Sequence, residues 1–431
     1  MKPLLTLWIS LFFIASYAQD YYYPPLEGND WETLSLEDLT WCQDKVDDLL
    51  QFLEERDTKA FIILKDGRIA LEQYFGSYTQ DSIWYWASAG KSLMGTMIGL
   101  AQEDGLLDIE EPVSNYLGET WTSCSAEEEA KIKIRHQISM ASGLDDGVEP
   151  AGSANNCFDP SCFHCIAEPE MRWAYHNSAY RLSQDVMEIA TGQDKTVYNR
   201  LRLGNRIGMK GFWFNYIYFS KARDMARFGH FILSEGVWNG DPVMQDANYY
   251  QNMLETSQEQ NQAYGYLWWL NGKASYQLPA LQFEFQGSLI PNAPNDLVAA
   301  LGKNDQKIYV VPSLDMVVVR QGDSAGGVSP ALSSFDNELW MKILELECLT
   351  SIKETNTTSI NISPNPARQQ IQINGIQQAI QLSLLNQNGQ VVLTKEINND
   401  QVISISNLPS GIYWVHLKGE EDVRVEKLLV Y

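Results

Sequence analysis

Ser88-Ala-Gly-Lys91 sets a hydroxyl and an amine three residues apart, one helical turn, on the same face. No other serine in the chain has a lysine at that spacing. Residues 88 to 104 carry helical periodicity, with Leu93, Met94, Met97, Ile98 and Ala101 on one face and Gly105 beyond the end, so Ser88 falls at a helix N-terminus. Free amides there can stabilise an oxyanion, and a desolvated lysine can accept the serine proton. A second element is Trp173-Ala-Tyr175-His-Asn177, where a tyrosine can relay a proton and an amide can bind a polar substrate group. Tyr-x-Asn also occurs at Tyr250 to Asn252, so order and context select Tyr175; His176 beside it is a further candidate to reach the site. Gly322-Asp-Ser324-Ala-Gly326 is a competing nucleophile-elbow pattern. Its only later histidine is His416, in a separate β-rich segment, and the text reads better as a strand followed by a loop. His136, His164 and His230 read as structural or surface residues.

The elements that must hold these groups follow from periodicity. An amphipathic helix is predicted between Trp31 and Glu55. Two β-rich runs, 60–65 and 68–75, flank Asp66-Gly67, a two-residue hairpin signal. The segment from Gly143 to about Arg172 reads as a long loop stapled by cysteines. Helices follow near 179–190 and 219–234, strands at Tyr264 to Leu270, Leu281 to Gln286, Lys307 to Val311 and Met316 to Arg320, and a last helix from about Ala331 to Cys348. Strands at both ends with a helical middle imply one sheet built from distant segments and flanked by helices. After a polar linker the pattern changes to period two from Ile360 onward, as in Ile371/Ile373, Leu382/Leu384 and Ile412/Trp414. That predicts a small all-β sandwich.

The N-terminus has Lys2, an apolar stretch from Leu4 to Ala15 and Ser16-Tyr17-Ala18, the order of a secretory signal, and the stretch is short of the roughly 20 residues a membrane span needs. Export makes the six cysteines, Cys42, Cys124, Cys157, Cys162, Cys165 and Cys348, disulfide candidates with pairing open; Cys42 with Cys348 is plausible if the first and last helices pack together. Cys157, Cys162, His164 and Cys165 are too crowded for a zinc ribbon or finger, so no metal and no cofactor is expected. With 55 Asp plus Glu against 31 Lys plus Arg the net charge is −24, which repels nucleic acid; 45% hydrophobic residues suffice for a packed core.

Ser88-x-x-Lys91 followed by Tyr175-x-Asn177 resembles the penicillin-recognising serine hydrolases: class C β-lactamases, DD-peptidases, related carboxylesterases and nylon-oligomer hydrolases. Pro112-Val-Ser-Asn-Tyr-Leu117, Ser142-Gly-Leu, Met225-Ala-Arg-Phe-Gly and Tyr264-Gly-Tyr-Leu-Trp-Trp agree with it. The resemblance implies a β-lactamase/transpeptidase-like α/β (α+β) fold, an antiparallel sheet flanked by helices with a helical subdomain. It implies Ser88 as acylated nucleophile, Lys91 and Tyr175 as the proton-transfer pair, Asn177 as substrate ligand and the Ser88 amide as half an oxyanion hole. The family's third motif, a cation before a small residue and Gly, is replaced by Ala300-Leu301-Gly302, which favours a neutral ester or amide over a carboxylate-bearing β-lactam or peptide. Trp86 and Trp173, flanking the two motifs, are candidate walls for an apolar acyl group. The C-terminal part, with Ile362-Ser-Pro-Asn-Pro366, Leu408-Pro-Ser-Gly-Ile-Tyr413 and Lys427-Leu-Leu-Val, resembles a type A sorting domain of type IX secretion. The expected organisation is a signal at 1–19, hydrolase domain 20–350, linker 351–358 and sorting domain 359–431. The expected protein is secreted or at the cell surface via the periplasm, not integral to the membrane, and its partners are a small-molecule or peptide-like substrate and the secretion machinery. A β-lactamase or DD-peptidase, and a catalytically silent binding protein on the same scaffold, are the alternatives.

Overall fold

Cys42 precedes α1 (Gln43–Glu55), and the chain then enters the antiparallel hairpin that Asp66-Gly67 calls for, β1 (Thr58–Lys65) and β2 (Arg68–Tyr74), with both turn residues at positive φ. The computed structural model describes residues 21–147, 157–326, 332–348, 360–376, 379–386, 390–418 and 423–431; the expected signal and linker lie outside them. The chain divides into two units, Met1–Cys348 and Leu349–Tyr431.

In the first unit β3 (Trp84–Tyr85) leads through a 3-10 turn, Ala87–Ala89, into α2 (Gly90–Glu103). Then come α3 (Asn177–Thr191), β4 (Gly211–Phe214), β5 (Ile217–Ser220), α4 (Ala222–Leu233), β6 (Trp269–Leu270), β7 (Ser275–Gln277) and β8 (Glu284–Gln286). The last strands are β9 (Val298–Gly302), β10 (Gln306–Val311) and β11 (Met316–Gly322), followed by α5 (Ser334–Leu344). The main sheet runs β2-β1-β11-β10-β9-β6, antiparallel throughout, so the first and last segments of the unit meet at its centre. Its two central strands are buried on both faces, and neighbouring residues show what covers each face. A Cβ on Gly229 of α4 would meet Val317 and Ile308, whereas Tyr309 packs on Trp340 of α5 at 5.6 Å. Phe52 of α1 stacks on Phe335 of α5, and Cys42 and Cys348 are joined.

Several predicted elements are shorter than their periodicity. The first helix starts at Gln43, not Trp31, because residues 36–40 form a turn that ends with Thr40 at positive φ. Tyr264 to Leu270 is strand only in β6, since Leu267 adopts φ 62° and reverses the chain. Leu281 to Gln286 keeps only β8, paired with β7 outside the main sheet, and residues 217–220 are strand before α4 begins.

The second unit contains β12 (Asn361–Ser363), β13 (Gln370–Asn374), β14 (Ile380–Asn386), β15 (Val391–Ile397), β16 (Gln401–Ser404), β17 (Gly411–Lys418) and β18 (Val423–Val430). They form sheets β12-β13-β16 and β15-β14-β17-β18 around a core that includes Ile371, Ile373, Leu382 and Leu384, as the period-two pattern expects; in β17 the buried set is the opposite one, Tyr413, Val415 and Leu417, and Ile412 and Trp414 are exposed.

Candidate active site

The 3-10 turn places Ser88 at the start of α2, after Ala87 at φ 48°. A non-glycine residue in the left-handed region is held there by its surroundings. The Trp86 amide donates to the Tyr218 carbonyl at 2.8 Å, extending the β3 pairing, and its indole donates to Ser220 Oγ at 2.8 Å. From the other side, the end of β9 closes on the turn: a Cβ at Gly302 would lie 2.4 Å from the Trp86 carbonyl oxygen, so only glycine fits.

Lys91, one turn into α2, is buried; its Nζ donates to Ser88 Oγ at 3.0 Å and to Asn177 Oδ1 at 2.8 Å. It also lies 4.8 Å from the centre of the Tyr175 ring and 4.4 Å from that of Tyr180. Burial lowers its pKa to about 7, and the charge of Arg181 pushes the same way. Asn177 opens α3, whose N-cap is His176; the His176 ring accepts from the Ala179 amide at 3.2 Å. Tyr175 precedes that cap. Burial raises the pKa of its phenol, and a hydrogen bond with Ser88 opposes the rise. Its ring stacks on Trp269 at 6.0 Å and meets Tyr264 edge-on at 6.2 Å. The arrangement brings together a hydroxyl, an amine whose pKa burial lowers, a phenol and an amide, groups of the kind that can exchange protons.

Ser88, Lys91, Tyr175 and Asn177 thus converge, with Gly302 against the Ser88 turn. Trp86 does not wall the site: it is fully buried, edge-on to Tyr218 and near Phe228, because alternation along the strand turns it into the core. Trp173 is likewise buried, among Tyr175, Tyr264 and Trp269, so it backs Tyr175 instead of facing a substrate. His176 serves as a helix cap stacked on Phe163, and burial lowers its pKa to about 4. Ser324 follows β11, and among the described residues no helix follows it before α5 at Ser334, so the described residues show no strand-turn-helix elbow there. Arg320, the cation of β11, is buried and donates to Thr58 and to the carbonyls of Arg56, Asp305 and Asp323. Tyr180, Tyr264 and Trp269 were not singled out from sequence as site residues. Tyr180 stands three positions after Asn177, on the same face of α3, and that spacing was its signal.

The cysteines pair as Cys42–Cys348, Cys124–Cys165 and Cys157–Cys162, and His164 Nδ1 is 2.8 Å from Ser123 Oγ. Two bridges therefore secure the described part of the loop that leads toward Trp173 and Tyr175. No described helix is long and apolar enough to cross a membrane.

Comparison with known proteins shows the family and the fold. Residues 46–319 match the Beta-lactamase family, and residues 361–431 match the Secretion system C-terminal sorting domain. An uncharacterised protein of Alkalihalophilus pseudofirmus is 22% identical over 306 residues, 61% of this chain and 83% of its own length. The 6-aminohexanoate-dimer hydrolase of Paenarthrobacter ureafaciens is 35% identical over 75 residues, 17% of this chain and 19% of that enzyme. Among solved structures, EstCE1, a hydrolase with promiscuous acyltransferase activity, superposes with a TM-score of 0.54 at 12% identity, covering 72% of this chain and 100% of its own. The chain belongs to the Beta-lactamase family of serine hydrolases and carries a type IX sorting domain at its C-terminal end.

Proposed function

We propose that the protein is a secreted serine hydrolase that cleaves a neutral ester or amide through an acyl-enzyme on Ser88. The observation that carries this reading is the position of Lys91 Nζ, 3.0 Å from Ser88 Oγ, with a pKa lowered to about 7. Lys91 takes the Ser88 proton as Oγ bonds to the substrate carbonyl carbon, and the amide of Ser88 at the helix start stabilises the oxyanion. Tyr175 gives a proton to the leaving alcohol or amine as the tetrahedral intermediate collapses. Water then attacks the acyl-enzyme, gives up a proton through the same pair and releases the acid. Asn177 holds Lys91 and offers its amide to the substrate.

The absence of a cation in Ala300-Leu301-Gly302 favours neutral substrates over the β-lactamase or DD-peptidase alternative. The names of the 6-aminohexanoate-dimer hydrolase, which acts on an amide, and of EstCE1, a hydrolase with acyltransferase activity, are in keeping with acyl transfer from an ester or amide and do not bear on substrate charge. The sorting domain fits export through the periplasm after removal of residues 1–19, with 351–358 as linker. The test is Ser88→Ala: turnover of p-nitrophenyl butyrate and covalent labelling by a serine-directed phosphonate are both lost, while Ser324→Ala keeps both. Labelling mapped to a Ser324 peptide overturns the assignment, and an absence of labelling in the wild type favours a silent binding protein.

A further inference from the structure

The strand that leads into Ser88 belongs to a small sheet, β3-β5-β4, with two unlike faces. Directly opposed residues of an antiparallel pair share a face, so Tyr85, Phe219 and Phe212 line up on one, as do Ile217 and Phe214. The alternate residues Trp213, Tyr218 and Ser220 take the other face and are buried. Water would ordinarily be met by polar residues on the first face. Here it carries only apolar side chains and one phenol, with Phe212 43% and Phe214 62% exposed. Phe212 stacks on Phe219 at 5.6 Å, and Phe219 continues to Tyr85 at 6.4 Å.

Tyr85 fixes where this surface begins. It stands three residues before Ser88, and its hydroxyl accepts a hydrogen bond of 2.8 Å from Asn304, two residues past Gly302. The apolar face therefore starts between the two backbone segments that meet at the Ser88 turn and runs outward along β5 and β4. Three strands at about 4.8 Å spacing make a platform about 10 Å across, the reach of a medium-length acyl chain.

We infer that this face is an acyl-chain platform, binding the extended apolar part of an ester or amide whose scissile carbonyl lies at Ser88. The inference rests on Ser88 as the nucleophile. Continuity with the Ser88 turn is what selects a substrate chain over a second protein or a lipid surface as the occupant, since neither of those would need the face to begin at the site.

The test compares kcat/KM for p-nitrophenyl acetate and octanoate, both kept monomeric, in the full chain and in the Phe212→Ser/Phe214→Ser variant. Each fully buried methylene is worth about fourfold, and an open face realises part of it, so the wild type should favour octanoate by about tenfold or more. The variant should lose most of that preference and keep its acetate rate, with a thermal midpoint near wild type because both side chains are exposed. An octanoate-to-acetate ratio that is unchanged in the variant, or a wild type with no chain-length preference, overturns the platform. So does a loss confined to aggregated octanoate, which marks an interface-binding surface. Ser88→Ala separates the two readings: acetate turnover that survives it defeats the nucleophile, whereas Ser88-dependent turnover with an unchanged ratio defeats the platform alone. If neither ester is turned over, the ratio of labelling rates by methyl- and octylphosphonates at Ser88 decides by the same outcomes.

Discussion

Lys91 and Lys307 are both buried lysines of the hydrolase unit, and the groups that surround them differ in charge. Lys307 Nζ lies 3.1 Å from an Asp305 carboxylate oxygen and 2.8 Å from one of Asp336, which also accepts from the Tyr309 hydroxyl at 2.6 Å. Around Lys91 the described contacts are a hydroxyl, an amide oxygen and two aromatic rings, with the like charge of Arg181 nearby. A buried ammonium with carboxylate partners belongs to the scaffold; one without them gives up its proton near neutral pH. Burial alone does not distinguish the two lysines; the charge of their neighbours does.

The largest effect that tests this contrast is on catalysis. Lys91→Met is expected to lower kcat/KM for a neutral ester by about 10²–10⁴-fold, the range of a lost general base. In the wild type, kcat/KM should rise with pH through about 7 as Lys91 loses its proton. A profile flat from pH 5 to 9 would remove Lys91 from the base role.

Lys307→Met should act on stability instead. Removing one partner leaves Asp305 and Asp336 facing each other across a buried site, at a cost of about 3–5 kcal/mol, with the residual specific activity of folded protein close to wild type. Chemical denaturation followed by tryptophan fluorescence measures it, and a change below about 1 kcal/mol would show that the cluster is not a structural ion pair.

Stability should move the other way at Lys91. Its folded pKa is lowered from 10.5 to about 7, so between those values the unfolded chain binds more protons and stability rises with pH. Lys91→Met removes that penalty. After allowance for the lost contacts to Ser88 and Asn177, it should stabilise the unit by about 2 kcal/mol at pH 7.5, with the gain shrinking toward pH 10. Destabilisation at pH 7.5 would mean that Lys91 is better solvated or paired than its surroundings indicate.

The contrast was half legible in the sequence. Ser88 and Lys91 are one turn apart, and Tyr175 and Asn177 flank a helix cap, so local spacing sufficed to nominate them. Nothing local distinguishes Lys307, in a plain strand pattern, from any half-exposed lysine, because its partner Asp336 arrives on α5 from the opposite end of a connection. The same limit explains Trp86. Alternation shows that Trp84 and Trp86 share a side of the chain, but only the packing of Tyr218 and Phe228 shows that the Trp86 end is core. The pairing of Cys124 with Cys165 likewise needed the fold, whereas the period-two pattern marked the strands of the second unit but not every buried face or pairing: Ile412 and Trp414 are exposed, and β17 pairs with β14, from which β15 and β16 separate it in sequence.

The smallest effect probes the rings themselves. Tyr180 lies 4.4 Å from Lys91 Nζ, where the face of an aromatic ring stabilises a cation by about 0.5–1 kcal/mol. The ring therefore works against burial: it favours the ammonium, and the Lys91 pKa would lie lower without it. Tyr180→Leu removes the ring face and keeps the site apolar, so the acid limb of the kcat/KM profile should move down by about 0.4–0.7 pH units, the same free energy divided by about 1.36 kcal/mol per unit. Tyr180→Phe keeps the ring and loses only the hydroxyl that accepts from Gln184 at 2.9 Å, so its limb should stay where the wild type has it. Equal shifts in the two variants would assign the effect to that hydrogen bond, and a rise in the Leu variant would mean that the ring chiefly excludes water from Lys91.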